Sequence, residues 1–369
     1  MLEDHEVATL YTAADRPTTS IGLPGSAPFI RGVQPIARRW QIRQRHGGAG
    51  AAGVNARVLA DLFGGVEAIE LHEVAPADLA AVLQGVLLDV APVSLAADAS
   101  GDTAWALMGL WAEAGMADAD CAGAFGIDPI GASGRLGTAA EAAIVSAAMV
   151  SVDRFPGVRS IGVDTSGWAE AGASPATELA LSMATATEYL RALDGGGLAI
   201  DDAASELEFT YLATADQFVT MAKLRAARRL WFRVVEVCGG SVAAGAQHQR
   251  AITSSPTNDD PWVDVLRATT ACFAAGVGGA QAVTVRPFDA ADTDYTPEFA
   301  DRIARNTHHL LLDESHVAEV VDPAGGAPFV EVLTETFARE AWQQFQSIES
   351  AGGMAAVAES NGIDELIVS

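Results

Sequence analysis

Five aspartates, Asp98, Asp128, Asp164, Asp289 and Asp322, stand at the ends of candidate β-strands, and such a ring of carboxylates could hold a metal or act as general bases. Aspartate also caps helices and starts turns for local reasons, as Asp128-Pro129 and Asp322-Pro323 suggest, and that plainer role is the expectation. Glu70 and His72 alternate in the stretch ELHEV and could point together into a barrel, as an acid/base couple or, more simply, as a buried hydrogen-bonded structural pair. The other histidines, His5, His46, His248, His308, His309 and His316, form neither HExxH nor a Cys/His cluster, so a metal has no support. His308 and His309 fall on a helix and are expected to face solvent or a partner. Gly48 to Gly53 satisfies GxGxxG, with Glu67 and Glu70 at a plausible distance beyond. The preceding RRWQIRQRH is too charged for the central strand of a parallel sheet, so a dinucleotide site is not expected there. Arg31, Arg38, Arg39, Arg43 and Arg45 make the one basic cluster; it could bind an anionic ligand or partner, or pair with the acidic body. No GxSxG elbow, Walker loop or kinase signature occurs.

The elements that would position these groups alternate regularly. Candidate strands span 66–74, 91–98, 121–128, 158–164, 209–213, 246–254, 282–289 and 317–322. Helical segments at 76–88, 102–115, 138–152, 175–193, 216–237, 261–277 and 297–312 lie between them, and a last helix at 328–350 closes the series. The stretch 158–193 is the clearest unit: a short β-rich run, a Gly/Ser loop at Thr165 to Gly167, and a helix with Leu179, Met183, Ala186, Tyr189, Leu190 and Leu193 at helical spacing. Eight strand-helix pairs in 369 residues match an α/β (β/α)8 TIM barrel. A doubly wound sheet competes, but no separable half or linker is visible. Residues 1–57 read as an N-terminal arm and 58–369 as the barrel.

Half the residues are hydrophobic, enough for a sizeable core. The net charge of −26 is spread along the chain and opposes binding to nucleic acid. The three cysteines, Cys121, Cys238 and Cys272, lie far apart in apolar surroundings and read as buried thiols of a reducing compartment. The acidic start MLEDHEVATLYTAAD has no signal-peptide pattern and no apolar run is long enough to span a membrane, so a cytoplasmic location is expected.

Several stretches carry a specific resemblance: LPGSAPFIRG from Leu23, RRWQIRQ from Arg38, EAGASPATELALSMATATEYLRAL from Glu170, AKLRAARRLW from Ala222, DPWVDVLRATTACFAAGVGGAQAVTVRPFD from Asp260, and RIARNTHHLLLDESHVAEVVDPAGGAPFVEVLTETFAREAWQQF from Arg302. In this order they resemble the adenosylcobalamin-dependent acyl-CoA mutases typified by methylmalonyl-CoA mutase, whose substrate domain is a (β/α)8 barrel. LYTAAD, DPIGASGRLG and GVGGAQAVTVRPFD are similar to the small, non-catalytic subunit of the heterodimeric enzyme. The resemblance implies an isomerase complex in which this chain is a degenerate barrel supporting a catalytic subunit that interconverts methylmalonyl-CoA and succinyl-CoA. Two alternatives stay open: an active substrate-binding subunit of a split mutase, and a stand-alone CoA-binding barrel.

Residue by residue, the resemblance implies lost catalysis. Arg45 stands where catalytic members have a tyrosine, Gly167 (followed by Trp168) where they have a histidine, and Ala290 where FDEA has its glutamate. Arg38, Arg43, Gln44, Arg135 and Glu170 are implied as vestigial substrate-binding positions. The cobalt-ligating DxHxxG motif is absent, so the expectation is a chain without a C-terminal cobalamin-binding domain, holding no cofactor alone, with adenosylcobalamin in the catalytic partner. Acyl-CoA remains a candidate ligand; nucleic acid and membrane do not.

Overall fold

The computed structural model describes residues 7–48, 50–96, 101–257, 260–289, 294–360 and 362–368. Eight parallel strands close on themselves in sequence order: β1 (Gln41–Gly47), β2 (Ala68–His72), β3 (Val93–Leu95), β4 (Ala122–Ile127), β5 (Gly157–Asp164), β6 (Leu207–Ala213), β7 (His248–Thr253) and β8 (Ala282–Thr284). The closure is made by β1 against β8, with Gln41 opposite Ala282 and Arg43 opposite Thr284. The chain is thus the (β/α)8 barrel that its alternation predicts.

One strand assignment fails at each end of the series. The charged RRWQIRQRH, set aside as a strand, supplies β1, and its residues Ile42 to Gln44 and His46 are buried. It falls within the stretch read as an arm. Its charge is tolerable because the inward-pointing arginines meet carboxylates across the barrel, as described below. Residues 317–322, expected as the last strand, run instead as turns with Asp322 at φ 47°; the barrel already closes through β8 and leaves no edge for them. The helix expected at 76–88 shrinks to a 3-10 turn, Pro76–Asp78, and Leu79–Val82, after which Gly85 takes a positive φ of 81°.

Helix Pro175–Gly195 begins where Ser174 Oγ accepts the Thr177 amide and proline occupies the first turn. It is buried almost all round, because helix Pro328–Ser350 packs over it and over Gln217–Val237 as an extra layer. That outer helix shows why it docks: Val330, Leu333, Phe337, Ala341, Phe345 and Ile348 are buried at spacings of three and four. Among the described residues no helix is long and apolar enough to cross a membrane.

Two burial expectations are corrected. Cys238, at the end of helix Gln217–Val237, is exposed, whereas Cys121 and Cys272 are buried as expected. His308, expected at the surface, is 0% exposed: the helix Pro297–His309 turns it inward, where Trp40 Nε1 donates to its Nδ1 at 3.0 Å and Cys272 Sγ lies 3.5 Å away. Trp40 reaches this place because Gly276 has no side chain; a Cβ there would stand 2.3 Å from the indole. His309 does meet the surface, bonding Asp313 and the Gly64 carbonyl.

Burial drives the His308 pKa down from 6.5 to about 3. A base whose folded pKa is depressed stabilises the fold above its unfolded pKa and loses that contribution as pH falls below about 6.5, by about 1.4 kcal/mol per unit until it titrates in the fold. His308→Gln keeps an acceptor for Trp40 but does not titrate. Between pH 7 and 5, urea titrations should therefore show wild type losing about 2 kcal/mol more than the variant. Equal losses would contradict a neutral buried imidazole.

Candidate functional site at the barrel axis

Alternate residues of a strand face the same side, so β1 sends Arg43 and Arg45 into the barrel. Arg43 Nη1 meets Glu208 Oε2 on β6 at 3.1 Å, and Arg45 Nε donates to Glu70 Oε1 on β2 at 2.6 Å. From β7, Arg250 Nη1 lies 2.7 Å from Glu70 Oε2 and 3.4 Å from Glu208 Oε2, while its Nε donates to Thr210 Oγ1. His248 Nε2 closes on Glu208 Oε1 at 3.3 Å. Strands β1 and β6, like β2 and β7, are not neighbours, so these pairs cross the lumen.

The network is dry. Glu70 is 1% exposed, and Arg43, Glu208 and Arg250 are 4–5% exposed. Burial alone would raise the Glu70 pKa, but Arg250, Arg45 and Arg43 outweigh it and hold it at about 2. Glu208 is likewise pushed up by burial and brought well below the carboxylate range by Arg43 and Arg250. Above the network, among Ala124, Gly126, Gly162 and Thr210, the free volume is about 10 Å³, room for at most a single water.

At the C-terminal rim the aspartates serve as anchors. Asp128 caps the helix Pro129–Ser133 through the Gly131 amide at 2.9 Å, accepts the Asp164 amide at 2.8 Å, and takes the Tyr189 hydroxyl. Burial raises its pKa to about 6 despite those donors. Asp164 turns back onto Ser166 and lies 3.9 Å from Arg45. Asp322 is at the opposite end, bound by Arg31 and Arg225. Asp98 lies outside the described residues, and Asp128 and Asp164 at the rim form no common ring with Asp322 at the other end. No group of three or more His, Cys, Asp or Glu side chains suited to a metal exists among the described residues.

The sequence-predicted positions scatter accordingly. Arg43 and Arg45 are in the lumen, locked in ion pairs. Gln44 points the other way, its amide set to donate to the Val285 carbonyl at 3.0 Å. Glu170 binds Arg286 and accepts the Ser255 amide at 2.7 Å, clamping the loops after β5, β7 and β8 together. Arg135 is exposed on the loop before helix Thr138–Arg154. At Gly167 a Cβ would meet nothing within 4 Å, so the position offers open space and no functional group. Trp168 is half-buried and packs against the hydrophobic core. Ala290 lies outside the described residues. His72 does not pair with Glu70, whose two oxygens belong to Arg45 and Arg250. The GxGxxG stretch does follow a buried strand, contrary to expectation, and runs into the helix Ala51–Phe63. The acids a dinucleotide would use are engaged, however: Glu67 accepts the Ile42 amide and Glu70 holds the lumen arginines.

Arg38 stands at the N-terminal mouth, where a cavity of about 680 Å³ is lined by Arg31, Arg38, Arg159, Arg228, His248 and Glu67 among others. Arg31 is neutralised by Asp322 and Arg39 by Asp313, so most of the basic cluster pairs with the acidic body. Arg38 has no ion pair among the described residues, and Arg159 Nε is buried without a partner. Sequence reasoning missed Arg159, Glu208, His248 and Arg250. The signal was partial: in LEFTYLA, Glu208 and Thr210 alternate with apolar residues, whereas in HQRAIT the two-residue spacing of His248 and Arg250 is masked by Gln249 between them.

A family model described as methylmalonyl-CoA mutase matches residues 1–77 and 73–368. The chain belongs to the methylmalonyl-CoA mutase family. It is 47% identical, over 97% of its length and 60% of the relative's, to the methylmalonyl-CoA mutase small subunit of Streptomyces virginiae. Against the small subunit of Propionibacterium freudenreichii subsp. shermanii the identity is 35%, over 95% of this chain and 56% of the relative. The methylmalonyl-CoA mutase of Escherichia coli strain K12 matches at 35% over 56% of this chain and 29% of its own length. The chain thus spans about 60% of the length of the small subunits it matches.

Proposed function

We propose that this chain is the non-catalytic partner in a methylmalonyl-CoA mutase heterodimer, a cytoplasmic barrel that supports a larger subunit interconverting methylmalonyl-CoA and succinyl-CoA. The observation that carries the reading is the lumen crossed by Arg43–Glu208 and Arg250–Glu70: a thioester threaded along the axis would have to break both pairs and strand their charges. The C-terminal rim does not fit adenosylcobalamin either. Gly167 offers no side chain, Arg45 is held by Glu70, and Glu170 is held by Arg286. The cofactor is therefore assigned to the catalytic subunit.

A second reading rests on the N-terminal mouth. Arg38 and the unpartnered Arg159 in a cavity of about 680 Å³ suit the phosphates of an acyl-CoA retained without turnover. Co-expression with a full-length mutase subunit followed by affinity capture separates the possibilities, combined with calorimetry of the free chain and methylmalonyl-CoA. The first reading expects stoichiometric capture and no isomerisation by the free chain. Heat that disappears in Arg159→Ala supports retained CoA binding; a wild-type chain that stays monomeric beside the catalytic subunit overturns the heterodimer.

A further inference from the structure

On the outer layer, helices Gln217–Val237 and Pro328–Ser350 leave a groove of about 530 Å³ between them, with Pro28 of the arm at its edge. Leu230, Phe232, Ala338 and Trp342 give it an apolar lining. Its walls are cationic: Arg229 and Arg233 lie one turn apart on the first helix, and Arg339 rises from the second, facing Glu335 alone as a lining acid. This is unusual on a chain with 48 acidic and 22 basic residues. From this arrangement we propose that the groove docks an acidic amphipathic helix of a partner chain, the inference resting on the heterodimer reading and locating one of its contacts.

Charge and availability argue for that occupant. Arg229 is committed to Glu335 at 2.6 Å. Arg233 and Arg339 are more loosely held: their guanidinium-bearing side chains are 58% and 62% exposed, and among the described residues their ion pairs are with the neighbouring helix residues Glu236 and Glu340, the latter at 4.0 Å. Exposed intrahelical pairs of this kind are weak and exchange readily for a better-placed carboxylate. A docked helix would set apolar side chains against Phe232 and Trp342 and carboxylates opposite Arg233 and Arg339, the usual division of an interface into an apolar centre and a polar rim. A second copy of this chain is disfavoured by its own charge of −26.

The test uses the whole chain and a catalytic mutase subunit. In Arg233→Glu/Arg339→Glu the fold is expected to keep its melting temperature, since both side chains are exposed. The proposal expects affinity for the partner to fall at least tenfold, with a flatter salt dependence, and expects a photocrosslinker at Gln346 to capture an acidic helical segment. If wild type binds and the double reversal binds equally well, the groove is not the contact, although the heterodimer stands. If wild type binds no mutase subunit, both readings fall together. Crosslinking to a basic or extended segment would also overturn the assignment.

Discussion

Glu70→Ala is expected to remove about 3–5 kcal/mol of stability, enough to leave little folded protein in a domain of ordinary stability. The loss does not measure how much the wild-type network stabilises. Taking these charges out of water is costly, and a well-made buried network roughly breaks even against apolar side chains of similar volume. The damage lies in what the substitution leaves behind. Both Glu70 oxygens are engaged, one by Arg45 and the other by Arg250, and Glu208 cannot neutralise both while it also serves Arg43. The pKa gives a second estimate of the same quantity. A carboxyl moved from 4.5 to about 2 contributes stability that is fully present above pH 4.5 and lost as pH falls toward 2, about 3.4 kcal/mol in all. Urea unfolding at pH 7 reads the first figure. Repeating it at lower pH reads the second, where wild type should decline more steeply than the variant. Glu70→Met combined with Arg250→Met should recover much of the loss, because it removes a charge of each sign. A single alanine variant as stable as wild type would mean that the lumen is solvated, and with that the argument for a closed axis would fail.

The barrel was legible because strands and helices alternate with distinct periodicities, and seven of the eight strands follow from that pattern. The first strand was hidden by its own arginines. A charged strand reads as a surface feature when considered singly, and only the matching carboxylates on β2 and β6, far away in sequence, make it a buried one. The same blindness affected the site. Arg43 and Arg45 were marked as site positions by family resemblance, but Glu208, which pairs with Arg43, and Arg250, which shares Glu70 with Arg45, had no local signature strong enough to mark them. Asp128 shows the reverse case: its pairing with Pro129 signalled a helix cap, and the Gly131 contact bears that out. His308 was misplaced because two adjacent histidines on a helix look solvent-facing, whereas helical rotation of about 100° per residue turns one inward and leaves the other out.

Arg228→Ala is expected to undock the arm from the barrel, at a cost of about 3–5 kcal/mol to the whole fold. Arg228 is 1% exposed and, among the described residues, makes no ion pair with a carboxylate; its fork is satisfied by neutral acceptors. Nε donates to the Phe29 carbonyl and Nη2 to the Ile30 carbonyl, each at 2.9 Å, while Nη1 donates to Gln249 Oε1 on β7 at 2.7 Å. One guanidinium therefore ties two consecutive arm residues to the barrel wall. Burial lowers its pKa only to about 10, so it stays charged at neutral pH and each of these bonds is charge-assisted. Alanine would leave a cavity, take the guanidinium donor from the buried Ile30 carbonyl, leave the Phe29 carbonyl with the Gly32 amide alone, and release the edge contact of Phe29 on Phe232. Arg228→Lys keeps the charge but not the planar fork, so a single ammonium cannot satisfy three divergent acceptors and should restore only part of the loss. Denaturant titration gives the energies, and limited proteolysis shows whether the arm is the element released, with cleavage expected between residues 16 and 31. An arm that stays protected in Arg228→Ala, or a lysine variant indistinguishable from wild type, would show that the arm is held by its apolar contacts and not by this guanidinium.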